Sequence, residues 1–217
     1  MHQRTRIKIC GLREPAHLDA AVLAGADALG FVFYAKSVRA VGVDQARALS
    51  ERLPPFVTPV GLFVNAEAQA IEAALCAIPN LLLQFHGDEA PEDCERWGRP
   101  YLRAVAVRPE TDLLDYARRH PHAQALLLDA PVEGYGGGGK VFDWSLLKAS
   151  VPCPVVLSGG LNADNVADGI RRVRPWAVDV SSGVEISRGV KCPEQIRRFC
   201  AAVRAADAAL ITELKTP

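Results

Sequence analysis

Net charge is the first thing this chain lacks: its 25 lysines and arginines are matched by 25 aspartates and glutamates. Without a basic surplus there is no broad field to draw nucleic acid or an anionic membrane. The arginines are spread along the chain rather than massed. Long apolar runs are missing too. From Met1 the sequence passes Arg4 and Arg6 into Ile7 without the apolar stretch of a signal peptide, and no later segment approaches membrane-spanning length. Together these absences predict a soluble cytoplasmic protein with no nucleic-acid and no membrane partner. Six cysteines include no Cys-x-x-Cys pair, and the five histidines offer no tight ligand spacing beside them. Reduced thiols are expected rather than a disulfide framework, and no metal site. Missing as well is a Gly-x-Gly-x-x-Gly turn after the first strand, where Cys10-Gly11-Leu12-Arg13 stands instead. That counts against a doubly wound dinucleotide-binding sheet. No low-complexity linker divides the chain, so residues 1–217 are expected to form one domain, with a tail over 211–217 that frays.

What is present is alternation. A chain of 217 residues, 49% of them hydrophobic, can bury one large core. Short apolar runs predict strands over Arg6–Cys10, Ala26–Phe33, Val57–Val64, Leu81–Phe85, Tyr101–Val107, Ala125–Asp129, Val155–Leu157 and Ala177–Val180. Between them, helical spacing predicts helices over Glu14–Ala24, Val43–Leu53, Glu67–Cys76, Pro91–Trp97, Glu110–Arg119, Asp143–Lys148, Asn162–Val173 and Pro193–Ala208. The sixth connection opens with a glycine-rich segment, Gly134–Lys140. Alternation of this kind implies parallel strands joined by crossover helices, and eight is the number that closes a (β/α)8 TIM barrel.

The stretch from Pro154 to Glu185 organises the rest. Two apolar runs in succession stop at small residues, first at Ser158-Gly159-Gly160 and then at Ser181-Ser182-Gly183. Glycines let backbone come close to a ligand, and uncovered amides at a helix start favour an anion. Either loop alone is also what an ordinary tight turn requires. Two on neighbouring strands predict a phosphate grip.

In a barrel, the groups that act on substrate sit at the carboxyl ends of the strands. The first strand ends on Cys10, the fourth near Gln84 and His86, the sixth on Asp129. Asp129 follows three leucines, which carry its carboxyl toward an environment that disfavours charge. Going round the ring, Asp129 and Cys10 flank the two glycine loops. A sugar phosphate held there would lie between an acid and a thiol, a layout for proton transfer in two directions if nearby positive charge or helix amides make the thiol a thiolate. Arg39, after the second strand, carries a fork that could hold a carboxylate, or could be solvated surface charge. Lys36 is expected in solvent. His86 could bond substrate or serve a structural contact.

Lys8-Ile9-Cys10-Gly11, Lys36-Ser37-x-Arg39, Gly61-Leu62-Phe63-Val64-Asn65, Gln84-x-His86-Gly87, Leu128-Asp129, Gly136-Gly137-x-Gly139-Lys140 with Phe142-Asp143-Trp144, Ser158-Gly159-Gly160-Leu161 and Asp179-Val180-Ser181-Ser182-Gly183-Val184-Glu185 stand in one order. In that order and spacing they resemble the phosphoribosylanthranilate isomerases of tryptophan biosynthesis, from about Ile7 to Phe199. The resemblance implies a (β/α)8 barrel without cofactor that carries out an Amadori rearrangement of a phosphoribosylated small molecule, as monomer or homodimer. It implies Asp129 as general acid, Cys10 as general base, Arg39 toward the anthranilate carboxylate, and backbone at Gly159, Gly160, Ser182 and Gly183 for the phosphate. Three positions depart from the family pattern: Ala35 for proline, Gly138 for threonine and Cys192 for an acid. None of them removes a group in this set. Two rivals remain. One is the histidine-pathway aminoaldose isomerase, whose substrate has two phosphates and would need a second grip after strands three and four. The other is a phosphate-ligand sensor without turnover.

Overall fold

A computed structural model describes residues 4–131, 143–147 and 151–215 of the chain. Its elements run β1 (Arg6–Cys10), α1 (Pro15–Leu23), β2 (Ala28–Val32), α2 (Val43–Ser50), β3 (Thr58–Phe63), α3 (Ala68–Ala77), β4 (Leu82–Phe85), α4 (Pro91–Glu95), β5 (Tyr101–Ala106), α5 (Leu113–Arg119) and β6 (Ala123–Asp129). A 3-10 turn at Trp144–Leu146 precedes β7 (Val155–Leu157), α6 (Val166–Val173) and β8 (Ala177–Val180). After a second 3-10 turn at Ser182–Val184, a ribbon of β9 (Glu185–Ser187) and β10 (Val190–Lys191) leads into α7 (Pro193–Lys215). Strands β1 to β8 pair in sequence order and β8 pairs back onto β1 in parallel, so the sheet closes into the expected (β/α)8 barrel.

Side chains alternate across each strand, and that period of two divides the apolar residues into two layers. Val60, Leu102, Ala104, Ala125, Leu127, Val156 and Ala177 fill the bore as one cluster. Their strand neighbours, among them Ile9, Phe31, Phe85, Leu126 and Val178, face outward and pack with helix residues such as Leu18, Ile71, Ile170, Ile196 and Phe199. Residues in phase with the inner set therefore face the bore. At the carboxyl end those include Cys10, His86, Ser158 and Asp129, with Lys8, Gln84 and Asp179 near them.

Several helix ends differ from the periodicity, each for a local reason. Helix α5 starts at Leu113 because Asp112 caps it, accepting from the amides of Leu114 and Asp115. Helix α6 starts at Val166, since the Asn162 side chain takes the amides of Asp164 and Asn165 and holds those residues in a turn. Helix α7 runs from Pro193 to Lys215. Leu210 is buried at its far side, and Asp207 ties the helix to Thr5 by accepting from both its amide and its hydroxyl. The glycine-rich segment Gly134–Lys140 and the last residue of the helix expected over Asp143–Lys148 lie outside the described residues. No helix among those described is long and apolar enough to cross a membrane.

Candidate active site

The two glycine loops come first because they set the floor on which the other groups stand. Gly159 and Gly160 both have left-handed backbone, with φ of 80° and 65°. A Cβ at 159 would lie 2.5 Å from the Ala130 amide and 2.9 Å from Asp129 Oδ1, so only glycine lets this loop rest against the end of β6. Asn165 steadies the same loop by donating to the Gly160 carbonyl at 3.0 Å. At Gly183 the space is tighter still: a Cβ would fall 1.8 Å from the Leu161 carbonyl oxygen. The loops after β7 and β8 thus touch backbone to backbone. They also line a cavity of about 320 Å³ toward α7, with Asn162, Asp164, Gln195 and Arg198 in its wall.

On one flank stands Asp129. Its Oδ1 accepts from the Ala130 amide at 2.8 Å, and its Oδ2 lies 3.2 Å from His86 Nε2. Gln84 Nε2 is 3.1 Å from the other ring nitrogen. An amide nitrogen can only donate, so with Gln84 in this orientation Nδ1 accepts and the ring proton sits on Nε2, directed at Asp129. His86, left by the sequence as either a substrate contact or a structural one, lies against the Asp129 carboxyl in this structure.

The other flank is built on Cys10, whose thiol has room because Gly30 stands beside it across the ladder; a Cβ at 30 would lie 2.8 Å from Sγ. One inward step below, Lys8 Nζ donates to Asp179 Oδ1 at 2.8 Å, and both are buried. The sequence reading required nearby positive charge to lower the thiol's pKa, and that charge is present. It does not win. Burial pushes the Cys10 thiol above its ordinary 9.0 and outweighs the opposing pull of Lys8, with Asp179 adding to the rise and Lys191 opposing it.

Arg39 reaches the mouth by crossing Gly11, the residue after Cys10. Gly11 has φ of 80°, and a Cβ there would strike Arg39 Cδ at 2.6 Å. Arg39 is buried rather than solvated. Its fork is also already engaged: Nε and Nη2 donate to Glu185 Oε1 and Oε2 at 2.7 and 2.8 Å. Lys191 Nζ gives Oε1 a second donor at 2.7 Å, and the Gly189 amide reaches Oε2 at 3.0 Å. Burial alone would raise the Glu185 pKa, but Arg39, Lys191 and Gly189 together hold it at about 2. Lys36 is exposed, as expected. Among the described residues, no group of three or more His, Cys, Asp or Glu is placed to hold a metal ion.

Residues 7–202 match the family model described as N-(5'phosphoribosyl)anthranilate (PRA) isomerase. The chain belongs to that family. It is 66% identical over 205 residues to the N-(5'-phosphoribosyl)anthranilate isomerase of Methylibium petroleiphilum, covering 94% of this chain and 96% of the relative. The phosphoribosyl anthranilate isomerase structure from Thermotoga maritima superposes with a TM-score of 0.82 at 41% identity, covering 93% of this chain and 99% of that one. A phosphoribosyl anthranilate isomerase bound to reduced 1-(o-carboxyphenylamino)-1-deoxyribulose 5-phosphate gives 0.79 at 38% identity, covering 93% and 99%.

For a phosphoribosylanthranilate isomerase the expected set is brought to one end of the barrel: Cys10 and Asp129 on the bore side of strands flanking the loops with Gly159, Gly160, Ser182 and Gly183, with Arg39 next to Cys10. Sequence reasoning missed Lys8, Asp179, Glu185 and Lys191 as members of the site. A signal existed for the first two. Each lies two residues from a bore-facing position on its strand, and a charge in that phase must find a partner inside the barrel. Gly138 of the tetraglycine run lies outside the described residues. Cys192 sits past the ribbon, its amide donating to the Val184 carbonyl at 2.9 Å.

Proposed function

We propose that this chain catalyses the rearrangement for which its family is named, converting N-(5'-phosphoribosyl)anthranilate into 1-(2-carboxyphenylamino)-1-deoxyribulose 5-phosphate in tryptophan biosynthesis. Asp129 gives its proton to the ribose ring oxygen as the bond from that oxygen to C1 breaks. The electron pair on the anilino nitrogen forms the C1–N double bond. Cys10, as thiolate, then removes the proton from C2, and those electrons move into the C1–C2 bond while the double bond returns its pair to nitrogen. The resulting enol becomes the ketone by proton transfer to C1. His86 holds the Asp129 carboxyl in orientation. Backbone at Gly159, Gly160, Ser182 and Gly183 grips the phosphate, and Arg39 receives the anthranilate carboxylate.

The observation that carries this reading is the placement of Cys10 and Asp129. They face the bore at its carboxyl end with both glycine loops between them, where a ligand anchored by phosphate spans from one to the other. A binder without turnover needs neither group. The histidine-pathway substrate would need a second anion grip after β3 and β4. There the amides of Asn65 and Gly87 already bond the Glu89 carboxylate at 2.7 and 2.9 Å, and Arg103 lies 3.1 Å from it. The same reading makes the enzyme cytoplasmic and either a monomer or a homodimer, which light scattering would distinguish. Fluorescence loss on freshly made phosphoribosylanthranilate tests the activity, with the histidine-pathway substrate in parallel. Asp129→Asn and Cys10→Ala should each lower turnover by roughly two to four decades, the usual worth of a positioned acid or base. Undiminished turnover in either folded variant would remove that residue from the mechanism.

A further inference from the structure

Glu185 follows directly on the 3-10 turn that carries Ser182 and Gly183, yet its carboxylate is held mainly by groups from elsewhere. Arg39 arrives from the segment after β2, and Lys191 from β10. Lys191 Nζ also donates to the Ser181 carbonyl and hydroxyl at 2.8 and 3.1 Å, and the Ser181 hydroxyl donates to the Cys10 carbonyl at 3.1 Å. One carboxylate therefore ties the Arg39 segment to the phosphate turn and, through Lys191 and Ser181, to the end of β1.

This cluster is poorly explained by stability alone. Two buried cations around one buried anion leave one positive charge uncompensated, and burying even a balanced pair gains little over apolar packing. The excess is what a carboxylated ligand would neutralise. Arg39 also has two bidentate edges, and Glu185 takes the side edge, Nε with Nη2. The end-on edge, Nη1 with the remaining N–H of Nη2, makes no hydrogen bond among the described residues.

We propose that Glu185 is a positioning residue that fixes the Arg39 guanidinium by its side edge and so presents the end-on edge to the substrate's carboxylate, setting the preference for a carboxylated arylamine. The proposal rests on the reading above that Arg39 receives that carboxylate. Glu185 is not a stand-in that substrate displaces. Displacement would strip a buried anion of the Arg39 half of its bonds and leave it beside a second carboxylate.

The test compares the parent enzyme, Glu185→Gln, Glu185→Asp and Arg39→Met on phosphoribosylanthranilate and on its decarboxylated analogue, the phosphoribosylated aniline, with inorganic phosphate as competing inhibitor. Glu185→Gln should raise KM for the carboxylated substrate at least about tenfold with kcat within a few-fold, the pattern of lost binding rather than lost chemistry. Values for the aniline analogue and inhibition by phosphate should stay as in the parent. If Glu185→Gln weakens both substrates and phosphate alike, Glu185 merely holds the fold and the proposal is overturned. If Arg39→Met abolishes discrimination between the two substrates while Glu185→Gln retains it, the proposal fails and the Arg39 reading stands. Unchanged discrimination in Arg39→Met would overturn both. Glu185→Asp keeps the charge and shortens the reach, so it carries the test if the glutamine variant does not fold. Partial loss of discrimination is expected there, and full retention would refute the positioning role.

Discussion

Cys10 should behave as a base that is scarce at neutral pH. Burial raises its thiol above the ordinary 9.0 in spite of Lys8 and Lys191, so the thiol rather than the thiolate is the resting form at neutral pH. The thiolate share of the free enzyme therefore grows as pH rises through the neutral range. Alkylation of Cys10 by iodoacetamide should rise with it, because the reagent consumes the thiolate. Peptide mapping gives an internal reference: Cys76 is exposed and Cys10 is buried in the same molecule. Cys10 should be labelled later than Cys76 at every pH, and its rate should keep rising through the neutral range. Cys10→Asp supplies a base that is ionised at neutral pH, and should keep part of the activity. Cys10 labelling that saturates below pH 8 would refute the reasoning. That result would mean that Lys8 and Lys191 overcome burial.

Gly183→Ala should force the loops after β7 and β8 apart, because the new Cβ would fall 1.8 Å from a backbone oxygen that cannot swing aside. Overpacking of this kind costs about 1–3 kcal/mol, to be read by urea unfolding together with a raised KM, and an unchanged KM would show that the contact is irrelevant to binding. At acid pH the first loss of stability should come from His120. Burial, with Arg103 and Arg119 adding to it, depresses its pKa from 6.5 to about 4. The unfolded chain then binds the proton first, so stability is full above pH 6.5 and falls as pH drops toward 4, by about 3 kcal/mol in total. Unfolding measured across that range should slope less steeply in His120→Gln; an identical slope would exclude His120 as the source.

Much of the barrel could be read from the chain because strands buried on both faces are continuous apolar runs whose ends are marked by a polar or small residue. Cys10 and Asp129 stood out for that reason. Residues that pair across the fold left weaker traces. Glu185 looked like the end of a motif, and nothing near it in sequence says that Arg39, 146 positions away, closes on it. The ribbon that brings Lys191 to the same carboxylate is only three residues paired with two, too short for a period-two pattern to register. Helix α6 began late because two asparagine side chains competed with the helix for its own amides, a contest that apolar spacing does not weigh. His86 was legible as a site residue but not as a partner of Asp129, since that depends on how β4 and β6 face each other across the bore.

Backbone contact between Gly183 and Leu161 makes the two glycine turns a single unit of inheritance. Anyone grafting the β8 turn onto another barrel must carry the Leu161 segment with it, and a chimera joined between β7 and β8 must preserve that seam atom for atom. Sequence drift in one turn is answerable to the other. For that reason a library that varies the two separately would sample mostly clashing turns, while one that varies them jointly could reach new loop shapes.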